Sequence, residues 1–234
     1  HINEAWLPSG HLGVDMFFTL SGYLITRLLL AEHETSGTVS FAAFWSRRAW
    51  RLFPALYALL AVLCVYAAFV ASPVELDDLR GAGIASLLFV ANWWFIARDA
   101  GYWDQFVAPS PLEHVWSLAI EQQFYVVWPL VVAVALRCGR KANGLLAVTA
   151  ALVGASTIWL AVLSRSDVSR AYFGSGSRSG SILVGAALAI LIHRQDRWLI
   201  EATRSRVGPW AAGAAGTALA VAWVAINGET DTWF

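Results

Sequence analysis

Two carboxylates lie well inside long apolar runs, Asp15 in LGVDMFFTLSGYLIT and Glu121 in HVWSLAIEQQFYVVWPL. Charge is costly in an apolar surrounding, so an ionisable residue within such a run marks a candidate site. On a helix, residues three or four apart share a face. Asp15, Thr19, Gly22 and Thr26 then form one stripe, and His114, Ser117, Glu121, Tyr125 and Trp128 a second, with Gln122 and Gln123 nearby. Small and polar residues of this kind often do no more than hydrogen-bond one helix to the next, which is the simpler account of the Asp15 stripe. The Glu121 stripe is richer than packing requires. An acid with a tuned pKa beside His and Ser can orient a reacting group or exchange a proton with it.

Three guanidinium groups, those of Arg47, Arg48 and Arg51, crowd into FWSRRAWRLFP just before another apolar run. Guanidinium forks take phosphates bidentately. The same cluster serves equally as an anchor against lipid phosphates, and the residues by themselves slightly favour the anchor. Arg178 sits in YFGSGSRSGS, residues 172–181, a stretch that reads as a flexible turn with at most a weak anion nest. Arg27 and Arg98 lie nearer the ends of apolar runs, where snorkelling accounts for them. Of the five histidines, His1 and His114 flank polar or acidic sequence, whereas His11, His33 and His193 fall at segment ends or in loops. There is no HExxH motif, and Cys64 and Cys138 stand far apart without CxxC spacing, so neither a metal site nor a disulfide framework is expected.

Composition names the elements that must hold these groups. Of 234 residues, 58% are hydrophobic and 14% charged, against about 45 to 50% and about 25% in soluble domains. Sixteen basic and 16 acidic residues leave no basic footprint for nucleic acid, and the apolar excess excludes disorder. What remains is an all-α, polytopic transmembrane helix bundle. Seven runs approach the roughly 20 residues that cross a bilayer, near 12–31, 52–71, 81–97, 115–136, 144–164, 180–193 and 208–226. The third and sixth are short, so tilted, re-entrant or partly buried segments stay open there.

The loop 32–51 ends in the three arginines, and the loop 72–80 holds Glu75, Asp77 and Asp78, so the positive-inside rule puts the first in the cytoplasm and the second outside. Strict alternation then sends Arg137, Arg140, Lys141 and Arg194 outside, against the rule. If 81–97 does not cross, these return inside and Arg165, Arg170 and Arg178 move out. With no internal repeat or linker, residues 1–234 read as a single membrane-embedded domain. It is expected to be truncated at both ends, since it opens on His1 and stops just after an apolar run, and residues 1–11 show no signal peptide.

In that order, GHLGVDMFFTLSGYLIT, FWSRRAWRLFPALY and PLEHVWSLAIEQQFYVVWPL together resemble acyltransferase family 3, the integral-membrane O-acyltransferases. The likeness covers much of residues 1–136 and continues more weakly through YFGSGSRSGSILVGAALA. It implies a bundle of about ten membrane helices, located in a bacterial plasma membrane among lipid. Its implied activity carries an acyl group, often acetyl, from cytosolic acyl-CoA to a hydroxyl, commonly of a carbohydrate. Acyl-CoA is thus an implied co-substrate, with no permanently bound cofactor. His1 aligns with a family His that follows an Arg on the first helix, an Arg that would precede residue 1. Where the family has a Thr-Asp-Thr-Arg-like loop, this chain has Ser175, Gly176, Ser177 and Arg178, so the acid is replaced by Gly176.

The resemblance and the residues together suggest roles. His1 deprotonates the acceptor hydroxyl, because imidazole titrates near neutral pH, and Glu121 orients the His or that hydroxyl. Arg47, Arg48 and Arg51 hold CoA phosphates at the cytoplasmic face. Trp116, Ser117, Gln123 and Arg178 line the reaction chamber, with Asp15 and His114 as further substrate contacts. A covalent acyl-enzyme on Ser117 is less economical. A membrane transporter or pore for a glycan or lipid-linked substrate is the alternative, with Asp15 and Glu121 as its proton or substrate sites. A noncatalytic scaffold is a third reading.

Overall fold

The computed structural model describes residues 10–98, 110–137, 142–194 and 217, and every regular element among them is helical. Hydrocarbon offers a backbone no water to bond, so long apolar runs close their N–H and C=O groups within helices. In chain order these are α1 (Gly10–Ser36), α2 (Phe41–Phe69), α3 (Pro73–Leu87), α4 (Ala91–Arg98), α5 (Val115–Arg137), α6 (Ala142–Ser166), α7 (Val168–Phe173) and α8 (Ser175–His193). Side-chain caps set several starts. The Ser40 hydroxyl accepts from the Ala43 amide, Ser72 and Glu75 cap each other ahead of α3 with Pro73 in the first turn, and Asp167 accepts from the Arg170 amide.

Five helical stretches among the described residues are long and apolar enough to cross a membrane: Gly13–Ser36, Phe41–Phe69, Val115–Arg137, Ala142–Ser166 and Val168–His193. The chain is an integral membrane protein. Apart from residue 217, the expected run 208–226 lies outside the described residues. The run 81–97, by contrast, makes no single crossing helix. With 15 and 8 residues, α3 and α4 reach about 22 Å and about 12 Å, short of the roughly 30 Å hydrocarbon core. Between them Phe89 takes a φ of 53°, a left-handed conformation that costs a non-glycine residue about 1 to 2 kcal/mol. Two contacts hold it there: the Phe89 carbonyl accepts from Gln123 Nε2 at 2.9 Å, and its ring stacks on Phe53 at 6.0 Å. Arg98 then returns to pair with Asp78 at 3.4 Å, so α4 ends beside the start of α3 and the two form a helical hairpin.

Two further expectations change. Helix α2 begins at Phe41, so Arg47, Arg48 and Arg51 stand on a helix rather than in a loop. The Gly/Ser stretch from Ser175 onward is the opening of α8 and not a flexible turn. Its small residues serve packing. The Ser156 hydroxyl of α6 donates to the Gly176 carbonyl at 2.6 Å and accepts from the Gly180 amide at 2.8 Å.

Helix α8 lies along α1 in the same direction, with Asp15 beside Ser181 and Glu34 beside His193. A Cβ on Gly22 would run into the Ile182 carbonyl, and one on Gly185 into the Thr19 carbonyl, so these two glycines let the backbones touch. Helix α5 also runs parallel to α1, since Phe18 meets Trp116, Ser21 meets Glu121 and Thr26 meets Trp128 in succession. Ile25, Leu29, Trp128, Val132, Leu145 and Ile190 form much of the buried apolar cluster that α1, α5, α6 and α8 share.

Parallel α1 and α5 choose between the two placements of the later charges and leave Arg165 at the face opposite Arg137. Helix α2 brings the chain back, the α3–α4 hairpin makes no net crossing, and Arg137 and Arg194 fall at the same face as the end of α1. The positive-inside rule assigns that face to the cytoplasm. With Cys64 and Cys138 replaced, single cysteines at Thr38, Arg137 and Arg194 are expected to label from the cytoplasmic side. Cysteines at Asp77 and Arg165 should label from the other. Labelling of Thr38 and Arg137 from opposite sides by a membrane-impermeant thiol reagent would overturn the hairpin.

Candidate active site

Glu121, 3% exposed, stands on the face of α5 that meets α1. Its Oε1 accepts hydrogen bonds from the Ser21 hydroxyl of α1 and from the Tyr125 hydroxyl one turn along its own helix. These two hydroxyls are also 2.6 Å apart, so acid, serine and tyrosine close a triangle. A buried carboxylate without such donors costs several kcal/mol. Helix α2 grips the tyrosine from the other side. The Arg48 guanidinium lies 5.1 Å from the centre of the Tyr125 ring, the Phe44 ring meets it edge-on at 6.4 Å, and Trp45 Nε1 donates to the Tyr125 carbonyl at 3.0 Å.

A second polar centre lies nearer the start of α1. Asp15 accepts from the Ser181 hydroxyl at 2.7 Å and pairs with Arg178 at 3.6 Å, where the Arg178 side chain is only 7% exposed. Arg178 also donates through Nε to the Tyr172 carbonyl at 3.0 Å and sits 4.8 Å from the centre of the Tyr172 ring. Trp116 packs against Tyr172 and Phe173 at 5.0 and 5.6 Å and against Phe18 at 6.1 Å, walling this ion pair with aromatic rings. At about 1.5 Å of rise per residue, Ser21 lies about 9 Å deeper along α1 than Asp15.

Gln123 anchors a third centre. Its amide donates to the Phe89 carbonyl and to Asn92 Oδ1, both at 2.9 Å, and its carbonyl oxygen accepts from the Ser175 hydroxyl. Asn92 returns bonds to the Phe173 carbonyl and to Ser175. One side chain thereby ties the tip of the α3–α4 hairpin to the junction of α7 and α8.

The structure separates what local spacing had grouped. His114 precedes the first turn of α5 and is exposed, and the half-buried Ser117 donates to its carbonyl at 3.2 Å, while the Glu121 carboxylate takes its hydrogen bonds from Ser21 and Tyr125. The three arginines also diverge. Arg47 is paired with Glu32 at 3.4 Å and Arg51 is exposed, whereas Arg48 is half-buried on Tyr125. Asp15 does join helices, as the simpler account of its stripe holds, yet it does so through a cation. His1 lies outside the described residues. Among the described residues no group of three or more His, Cys, Asp or Glu side chains could hold a metal ion. Spacing missed Ser21, Asn92 and Ser181. The fully buried Asn92 carried the one available signal, a lone amide within the apolar and aromatic run FVANWWF.

Comparison with known proteins gives the family. The family described as an acyltransferase domain matches residues 1–234. The chain is 42% identical over 193 residues to the peptidoglycan O-acetyltransferase OatA of Listeria monocytogenes, covering 82% of this chain and 31% of that protein. It is 41% identical to the putative peptidoglycan O-acetyltransferase YrhL of Bacillus subtilis, covering 82% of this chain and 30% of that one. It is 38% identical to a putative O-acetyltransferase of Staphylococcus aureus, covering 82% of this chain and 32% of that one. The chain thus spans about a third of the length of the curated relatives it matches. No solved structure matches it significantly.

Replacing Gln123 with Leu leaves the Phe89 carbonyl, Asn92 and Ser175 short of partners, at about 1 to 3 kcal/mol for each group left unpaired. The variant is expected to unfold several degrees earlier in detergent, whereas Val62→Leu, at a position 67% exposed, should not. Equal melting curves for the two would contradict the network.

Proposed function

The chain belongs to the acyltransferase family that matches residues 1–234, and from that premise we propose that its parent protein transfers an acetyl group from acetyl-CoA to a hydroxyl of a glycan. The relatives named as peptidoglycan O-acetyltransferases favour peptidoglycan as the acceptor class. The observation that supports this reading best is Glu121, sealed in an apolar bundle yet held by two hydroxyls. A carboxylate placed so expensively is kept for orientation or proton handling more readily than for stability.

In this reading the acceptor oxygen attacks the thioester carbonyl carbon, and its proton passes to the His1 imidazole. The carbon–sulfur bond then breaks, and the same proton goes to the departing sulfur, leaving an O-acetyl ester and free CoA thiol. Glu121 orients the imidazole or the acceptor hydroxyl. The arginine cluster supplies the positive charge that CoA phosphates require at the cytoplasmic face. Arg178, Asp15 and the Trp116 wall lie at the starts of α8, α1 and α5, the side from which an exported acceptor would approach.

Acetyl-CoA turnover and glycan O-acetyl content, measured with the parent protein, test this directly. His1→Ala and Glu121→Ala should each lower turnover by about a hundredfold or more. Near-native turnover in both variants would overturn the assignment.

A further inference from the structure

Arg47, Arg48 and Arg51 look alike in sequence but not in surroundings. Arg47 and Arg51 are one turn apart and both exposed, with Arg47 loosely paired to Glu32. Arg48 is turned inward. Its guanidinium lies 5.9 Å from the centre of the Phe44 ring and 5.1 Å from that of Tyr125, and the Tyr125 hydroxyl is one of the two donors to Glu121. A guanidinium spread over two aromatic faces keeps little of its fork for a phosphate. It has the geometry to hold a ring in place.

We infer that Arg48 is a positioning residue for acyl transfer, acting through Tyr125 on the Glu121 carboxylate, while Arg47 and Arg51 are the cations left for the donor's phosphates. This rests on the acetyl-CoA reading above and divides the cluster between two tasks. The mechanical path is short. Phe44, Trp45 and Arg48 fix the Tyr125 ring and backbone, and the fixed ring aims its hydroxyl at Oε1 beside that of Ser21. With both donors on one oxygen, the carboxylate plane is set.

Acetyl-CoA affinity and kcat, measured separately in the reconstituted parent protein, distinguish the two tasks. Arg51→Gln should weaken acetyl-CoA binding several-fold. Arg48→Gln should lower kcat about tenfold and leave acetyl-CoA affinity within about twofold. Arg48→Lys should recover most of the lost kcat, because a cation on the ring suffices, whereas a bidentate phosphate ligand tolerates lysine poorly. Tyr125→Phe keeps the ring under Arg48 and loses the hydroxyl, so adding Arg48→Gln to it should reduce kcat no further. The inference is overturned if Arg48→Gln weakens acetyl-CoA binding as much as Arg51→Gln does. It is equally overturned if the Arg48→Gln and Tyr125→Phe losses multiply. Failure of the underlying reading has a different signature: the unaltered parent would bind no acetyl-CoA at all, and the division of the cluster would fall with it.

Discussion

A carboxylate set into an apolar helix has to be given hydrogen-bond donors, and much of this fold follows from where Glu121 finds them. An unpaired buried charge costs several kcal/mol, comparable with the whole stability margin of about 5 to 15 kcal/mol for a domain. Tyr125 is one turn away, but a single local donor leaves the acid half served. Ser21 supplies the second, and it can do so only if α1 lies against α5 in one direction and one register. Once that register is set, Phe18 meets Trp116 above the acid and Trp128 donates to the Thr26 hydroxyl below it. The grip of Phe44, Trp45 and Arg48 on Tyr125 then adds α2 to the same arrangement.

The same demand recurs at the other two polar centres and shapes the topology. Asp15 and Arg178 neutralise each other across α1 and α8, close to the point where Gly22 and Gly185 let the two backbones touch. Asp15 is the carboxylate that meets Arg178. At Gln123 the need comes from backbone rather than charge. Non-helical chain at membrane depth survives only where protein satisfies it, and the Gln123 amide does this for the strained turn at Phe89. The hairpin is therefore held at its tip by an amide and at its base by the Asp78–Arg98 pair.

Much of this was legible in the residues. Apolar runs located the five crossing stretches, and the cost of charge in hydrocarbon singled out Asp15 and Glu121. The shortness of 81–97, together with the clash between alternation and the positive-inside rule, left open whether that segment crosses, and the packing of α3 and α4 decides it. Partners across helices were not legible. A stripe at helical spacing lists neighbours on one helix, so it offered His114 and Ser117 to Glu121 and could not see Ser21, whose place depends on how α1 packs. The Gly/Ser composition before Ile182 read as a turn because small residues favour turns, yet between membrane helices they favour close contact instead. Three arginines in five positions could not be told apart until α2 turned one of them inward.

The proposed acyl transfer depends on the setting of Glu121 and not merely on its presence. The most direct measurement is kcat for acetyl transfer by the parent protein carrying Ser21→Ala and Tyr125→Phe together, which strips both donors and leaves the acid in place. The expected kcat is close to that of a parent lacking the acid altogether, in a protein that still inserts and folds. A kcat of native size in that double variant would contradict it.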